Sequence, residues 1–225
     1  MISRAARAFT AATGAGLSLA IAAALLLGWL TEEVLEGDAA HFDASLRALI
    51  HARASPRLTD MMWFFTDLGS VTAIAGILVA VLALFWFCHW WRAAAILAIT
   101  MAGSTLLVEV LKLSFHRARP VPYFAIAAPH SFSYPSGHSL SSFALFGTVA
   151  WLVTAHVARR WISVLIWFLA VAIIGLVGLS RAYLGVHYPT DILAGYLTAF
   201  IWIMAVRLGD RLYLARAAGF RGERT

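Results

Sequence analysis

Three polar stretches in an otherwise apolar chain carry the residues that could do chemistry. Residues 180–191, SRAYLGVHYPTD, place an arginine, a histidine and an aspartate between two long apolar runs. The other two stretches are residues 112–120, KLSFHRARP, and residues 135–138, PSGH. Ionisable side chains at the edge of a membrane span lose hydration that lipid cannot replace, so a functional role is the usual reason for their presence.

The third stretch contains the parts of an activated imidazole. His187 and Asp191 are four residues apart and flank Pro189, which suits the first turn of a helix. A carboxylate that is hydrogen-bonded to one ring nitrogen fixes the tautomer and leaves the other nitrogen nucleophilic. Arg181, six residues before His187, adds a planar guanidinium that is suited to phosphate oxygens.

The first stretch offers two cations at helical spacing. Lys112 and Arg119 are seven residues apart, and they would project from one face if the helix continues to Pro120. Two aligned cations of this kind would form a phosphate clamp. The alternative is a pair of anchors at the end of a span, with their charges reaching the membrane interface.

The PSGH stretch stands where a helix begins. Backbone N–H groups at Ser136 and Gly137 would point at an anion, and the helix dipole would add partial positive charge. Gly137 has no side chain to obstruct a ligand, and His138 would lie beside a bound phosphate. The alternative is a serine cap followed by a histidine without a role in chemistry.

A metal site is the competing interpretation of the same residues. The side chains that could ligate a metal are histidines and carboxylates in or near the three stretches, namely His187, Asp191, His138 and one of Glu109, His116 and His130. Three converging cations would repel a metal ion and attract a phosphate. We therefore expect no metal and no other cofactor, and the contribution of these last three residues stays open.

The composition places the motifs in a membrane protein. The chain is 62% hydrophobic and 12% charged, with a mean hydropathy of +0.83, whereas about a quarter of the residues in soluble proteins are charged. The net charge of +6 could suggest a nucleic-acid partner, but the arginines are scattered at the ends of apolar runs. We therefore expect one all-α membrane domain, residues 1–225, without a nucleic-acid partner.

Six apolar runs predict six transmembrane helices. They are residues 11–30, 71–88, 93–111, 139–155, 161–179 and 192–206. Between the first two runs, apolar residues recur at helical spacing among polar ones, at Phe42, Leu46, Leu49 and Ile50. This pattern predicts a short interfacial helix in the first extracytoplasmic segment, and a solvated linker is the alternative.

The distribution of cations indicates an orientation. Six spans put both termini on one side, and with cytoplasmic termini that side holds ten of the seventeen lysine and arginine residues. The positive-inside rule favours this arrangement. We therefore expect a multi-pass protein of the inner or plasma membrane, with all three motif stretches on the extracytoplasmic side.

In chain order the stretches read K-x6-R-P, PSGH and S-R-x5-H-x3-D, and they resemble the signature of the type-2 phosphatidic acid phosphatase superfamily. The match has no departure at a motif position, and the motif-bearing core covers about residues 93–206. Residues 55–70, SPRLTDMMWFFTDLGS, are also similar to the segment that precedes the second span in bacterial members.

The resemblance implies metal-independent hydrolysis through a phosphohistidine. By similarity, His187 is the nucleophile, Asp191 orients it, and His138 acts first as general acid and then as general base. The remaining motif residues would hold the phosphate oxygens, namely Lys112, Arg119, Ser136, Gly137 and Arg181.

The expected substrate is a membrane lipid with a phosphomonoester or pyrophosphate head group, because a site at the interface is reached most easily from within the bilayer. By resemblance to bacterial members, the candidate lipids are undecaprenyl pyrophosphate, phosphatidylglycerol phosphate and phosphatidic acid. A lipid phosphotransferase and a non-catalytic phosphate or lipid transporter are the alternatives. The sequence does not choose among the lipids or indicate an oligomeric state.

Overall fold

The computed structural model describes the backbone of residues 4–124 and 130–222, and the side chains of residues 14–216 within these ranges. Every regular element in these ranges is helical, which confirms the all-α prediction. Helices α1 to α5 are Arg4–Glu36, Ala39–His51, Pro56–Leu68, Val71–Phe87 and Trp91–Phe115. Helix α6, Gly137–Ser142, is followed by a π-helical turn, Phe143–Gly147. Helices α7 to α9 are Thr148–Thr154, Arg160–Tyr183 and Pro189–Gly222.

Four to five membrane spans follow from the helices of the described residues. Four segments are long and apolar enough to cross a bilayer, namely Gly14–Glu36, Trp91–Phe115, Arg160–Tyr183 and Pro189–Arg216. A fifth span results if α3 and α4, which meet at a 56° bend, cross together. The predicted fourth span, 139–155, corresponds to α6, the π-helical turn and α7, each of which is shorter than a spanning helix. The six-span count stays a prediction.

The segment after α1 is helical, so the solvated-linker alternative is wrong. Helix α2 covers the apolar pattern, and α3 begins where the Ser55 hydroxyl accepts the N–H of Leu58 ahead of Pro56 at the first helical position. One face of α2 is buried against the protein, as shown by Asp43, which is 0% exposed. The location of α2 at the membrane interface stays a prediction.

Small residues let the helices that carry the motifs approach closely. Helix α9 packs against α1, α5 and α6, and α8 packs against α3 and α6. At Gly178 of α8, an added Cβ would overlap the hydroxyl of Tyr196 and lie 2.8 Å from Ile192 Cγ2. At Gly195 of α9, an added Cβ would lie 2.8 Å from the carbonyl oxygen of Ser136. Glycines therefore set the spacing between α9 and the helices that hold the rest of the site.

The Gly178→Ala substitution is expected to lower the free energy of unfolding by about 1–3 kcal/mol, because the new methyl group overlaps Tyr196. Gly175 lies in the same helix with nothing within 4 Å of an added Cβ, and is the matched control. Gly175→Ala is expected to change stability by less than about 1 kcal/mol, in the stabilising direction. Unfolding of both variants in one detergent measures the difference, and equal stabilities would contradict the packing argument.

Candidate active site

A cavity of about 530 Å³ brings the three motif stretches together. Its polar wall consists of Thr105, Glu109, Lys112, Arg119, Ser131, His138, Ser141, Arg181 and His187, with Gly137 among them. Six of the eight predicted site residues line this wall, and the two that do not, Ser136 and Asp191, lie directly behind it and are fully buried. The rest of the lining is mostly apolar and comes from α4 and α5.

His187 lies in the short connection between α8 and α9 and is only 1% exposed. Its Nδ1 is 3.3 Å from Asp191 Oδ2, and its Nε2 is 2.9 Å from a guanidinium nitrogen of Arg119. Burial lowers the pKa of His187 to about 4, although Asp191 opposes the shift. The ring is therefore neutral at neutral pH, with its proton on Nδ1 and the lone pair of Nε2 directed towards Arg119.

Asp191 contacts the imidazole and also caps the start of α9. Its Oδ2 accepts the backbone N–H of Tyr188 at 2.9 Å, an arrangement that resembles a capping box, and also accepts the hydroxyl of Ser133. Its Oδ1 accepts an N–H of Arg117 at 2.6 Å. Because these contacts fix the carboxylate on both oxygens, the predicted His187–Asp191 pair is held rigidly.

Lys112 and Arg119 contact the same residue but do not share a helix face, because the helix does not continue to Pro120 as the shared face required. Helix α5 ends at Phe115, and His116 follows it with a left-handed φ of 46°. Arg119 therefore lies in the following loop, where it donates to Ser131 O at 2.6 Å and to Ser131 Oγ at 2.9 Å. Lys112 Nζ donates to the same hydroxyl at 3.2 Å. Ser131, rather than helical periodicity, joins the two cations.

Arg181 and His138 are positioned by the bend between α3 and α4. Arg181, which is 8% exposed, donates to the hydroxyl of Thr66, and its buried Nε has no protein partner among the described residues. At Gly69 an added Cβ would lie 3.2 Å from His138 Cδ2 and would overlap Val177. Residues 55–70 thus support two members of the site, a role that the sequence analysis did not assign to Thr66 and Gly69.

Ser136 acts as a helix cap in this structure. Its hydroxyl accepts the N–H of Ser139 at 3.4 Å and contacts the Ser139 hydroxyl at 3.0 Å. Its own N–H donates to the carbonyl of Asp191 at 2.9 Å, which connects the start of α6 to the start of α9. Gly137 lines the cavity, and an added Cβ there would lie 3.9 Å from Lys112 Nζ. The side chain of Ser136 therefore acts as the serine cap that the alternative interpretation of PSGH predicted.

Arg117 and Asp43 also contact the site, although no sequence pattern indicated them. Arg117 bonds both Asp191 and Asp43, although the two aspartates are far apart in the chain. Of the residues left open, Glu109 lines the cavity, His116 packs edge-on against Phe132, and His130 is exposed. Within the described residues no group of three or more His, Cys, Asp or Glu side chains is placed to hold a metal ion.

The fold and the site define a class of protein: a helical membrane protein in which a buried histidine, paired with a carboxylate, lies at a cationic cavity. Residues 93–211 match the PAP2 superfamily. The solved structure of a transmembrane PAP2-type phosphatidylglycerolphosphate phosphatase from Bacillus subtilis is similar, with a TM-score of 0.78 and 26% identity over 85% of this chain and 96% of that chain. The chain belongs to the PAP2 superfamily.

Three proteins to which the chain is similar are phosphatases, and each is named for a different lipid. Phosphatidylglycerophosphatase B of Bacillus subtilis is 30% identical over 156 residues, which is 68% of this chain and 75% of that protein. The undecaprenyl-diphosphatase of Sulfolobus acidocaldarius is 35% identical over 106 residues, or 45% of this chain and 47% of that protein. The lipid A 1-phosphatase of Rhizobium johnstonii is 34% identical over 110 residues, or 45% of this chain and 41% of that protein.

Proposed function

We propose that the chain is an integral membrane phosphatase that hydrolyses the phosphomonoester or pyrophosphate head group of a lipid through a phosphohistidine at His187. One observation carries the proposal: the buried His187 has its Nδ1 beside Asp191 and its Nε2 at the cationic wall of the cavity. The family of the chain and the names of its relatives support the same reaction.

The site has the parts that phosphoryl transfer requires. The cations at the wall, Lys112, Arg119 and Arg181, would bind phosphate oxygens and neutralise the charge of the transition state. Arg119 would move its N–H from Nε2 to a phosphate oxygen as the substrate enters. Nε2 of His187 would then attack phosphorus, forming the N–P bond while the bond to the leaving oxygen breaks.

His138 would act as general acid and then as general base on the other side of the phosphorus atom. Burial and the neighbouring cations lower the pKa of His138, and a bound phosphate dianion would supply the opposite charge that favours uptake of a proton from solvent. His138 would give this proton to the leaving oxygen, and would later remove one from the water that attacks the phosphohistidine. The N–P bond breaks as the water attacks, inorganic phosphate is released, and His138 loses the proton that it took from the water, so that both rings are neutral again.

The cavity explains why the substrate would be a lipid. Beyond its polar wall the lining is apolar, at Val71, Ile74, Ala75, Leu78, Leu82, Ala98, Met101, Ala102 and Val108. An apolar cavity with a few convergent polar groups fits a ligand with a charged head and a hydrocarbon chain. The chain of the lipid would lie between α4 and α5, with its phosphate at His187.

The proposed site lies at the extracytoplasmic interface, and cations at the other end of the bundle support this orientation. Arg92 starts α5, whereas Lys112 lies in its last turn, and Asp191 starts α9, whereas Asp210 lies about five turns further on. Arg92 and Asp210 form an ion pair of 2.5 Å away from the motifs. Under the positive-inside rule, the Arg92 end would be cytoplasmic.

A phosphate-release assay tests the proposed function. The purified protein in detergent is incubated with phosphatidylglycerol phosphate, phosphatidic acid or undecaprenyl pyrophosphate in the presence of EDTA. We expect release of inorganic phosphate from at least one lipid. Activity that needs added metal would overturn the phosphohistidine mechanism, transfer of the group to another lipid would indicate a phosphotransferase, and binding or transport without any release would indicate a transporter.

A further inference from the structure

Asp43 is a fully buried carboxylate that lies outside the three motif stretches, in the middle of α2. Its Oδ1 accepts the N–H of Thr190 at 3.0 Å, and its Oδ2 accepts the Thr190 hydroxyl at 2.6 Å and a guanidinium N–H of Arg117 at 2.8 Å. Aspartates are rarely buried completely unless their charge is paired. Asp43 is paired with Arg117, which also forms an ion pair with Asp191 of the site.

Arg117 joins Asp43 to Asp191. One of its terminal nitrogens donates to Asp43, and the other donates to Asp191 at 2.6 Å and to the Thr190 hydroxyl at 2.8 Å. Burial lowers the pKa of Arg117, but the charge of Asp191 and the hydrogen bonds that Arg117 donates to both aspartates outweigh it, so the pKa is raised. Asp43, Arg117 and Asp191 therefore form a chain of alternating charges that ends at His187.

The net charge of this chain matters to the nucleophile. When Nε2 of His187 bonds to phosphorus, the ring becomes positively charged, while Lys112 and Arg119 already make the cavity side positive. An isolated Asp191–Arg117 pair would sum to zero and would stabilise this charge weakly. With Asp43 included, the three groups sum to one negative charge behind the ring.

We propose that Asp43 is a positioning residue that acts through Arg117 to keep the negative charge of Asp191 effective at His187. The inference rests on the proposed function, because it concerns the charge that forms on the nucleophile. A purely structural role, in which Asp43 only joins α2 to the start of α9 through Thr190, is the competing explanation. The two explanations differ in what happens when Arg117 is removed together with Asp43.

Kinetics of single and double variants distinguish the two roles. Asp43→Asn leaves Arg117 uncompensated, and it is expected to lower kcat by about tenfold to a hundredfold with KM changed by less than about threefold. Adding Arg117→Gln to Asp43→Asn restores one negative charge at Asp191, so kcat is expected to rise at least about fivefold above that of Asp43→Asn. A structural role predicts that the double variant is as slow as Asp43→Asn or slower.

Two further variants serve as controls. Thr190→Val removes hydroxyl contacts to both Asp43 and Arg117 without changing charge, and its kcat is expected to stay within about threefold of the wild type. Asp43→Glu keeps the charge and is expected to be faster than Asp43→Asn. If Asp43→Asn does not purify as a folded protein, Asp43→Ser, which is smaller and keeps an acceptor, replaces it with the same expected loss.

The outcomes separate this inference from the proposed function. If the wild type releases no phosphate, or if His187→Ala stays active, the proposed function fails. If the wild type is active and His187→Ala is inactive, three results would overturn the inference about Asp43 alone. They are an unchanged kcat in Asp43→Asn, a loss confined to KM, and a double variant that is no faster than Asp43→Asn.

Discussion

Phosphate release by the His187→Ala variant is expected to be at least about 10⁴-fold slower than release by the wild type. The substitution removes an imidazole whose Nδ1 lies beside Asp191 and whose Nε2 lies at the cationic wall, the only ring placed in this way among the described residues. Without it no phosphohistidine forms. The cations that are proposed to hold the phosphate are unchanged, so binding of a non-hydrolysable phosphonate lipid is expected to stay within about tenfold.

His41→Ala is the matched control for this variant. His41 is exposed on α2, does not line the cavity, and is expected to be dispensable for activity. Release rates are measured at saturating lipid, and radiolabelled phosphate is followed to detect an acid-labile phosphoprotein in the wild type. Rapid turnover by His187→Ala, or a phosphoprotein of undiminished yield in this variant, would rule out His187 as the nucleophile.

The Asp191→Asn substitution is expected to lower kcat by about a thousandfold or more, in line with the loss of a carboxylate partner in other histidine-dependent enzymes. An amide at this position carries no charge and has only one acceptor oxygen. It would therefore present N–H groups to Arg117 or to the N–H of Tyr188, both of which are donors in the native structure. The same mismatch is expected to lower the melting temperature.

Asp210→Asn provides a control in the same helix. Asp210 is also paired with an arginine, Arg92, but the pair lies about five turns further along α9 and is partly exposed. Because such pairs contribute little, the expected change in stability is less than about 1 kcal/mol and the expected change in kcat is less than about twofold. Similar kcat values for Asp191→Asn and Asp210→Asn would show that Asp191 has no role in the reaction.

The placement of the motif residues could be predicted from the sequence because the groups that contact one another are close in the chain. His187 and Asp191 lie within one turn of the start of α9, so their spacing alone predicts their contact. The three stretches sit at the ends of apolar runs, which predicts that they lie near the membrane surface. Six predicted residues accordingly line one cavity.

Other features depend on contacts that spacing cannot predict. Asp43 reaches Arg117 across 74 positions of the chain, and in sequence it looks like one more charge in a polar segment. Arg119 follows a left-handed residue that ends α5, so the seven-residue spacing from Lys112 is not helical. The π-helical turn at Phe143–Gly147 divides the fourth apolar run, which hydropathy alone treats as one uninterrupted helix.

The hydrogen bond between Arg119 and His187 has a consequence for selectivity against the surrounding bilayer. Bulk phospholipids are phosphodiesters, which carry a single charge and are present in vast excess over any phosphomonoester lipid. Nε2 of His187 already accepts a hydrogen bond from Arg119 at 2.9 Å. A lipid head group must therefore compete for Arg119 before the lone pair of Nε2 becomes free. A dianionic terminal phosphate competes well and a phosphodiester poorly. The enzyme would thus stay unreactive amid abundant structural lipid.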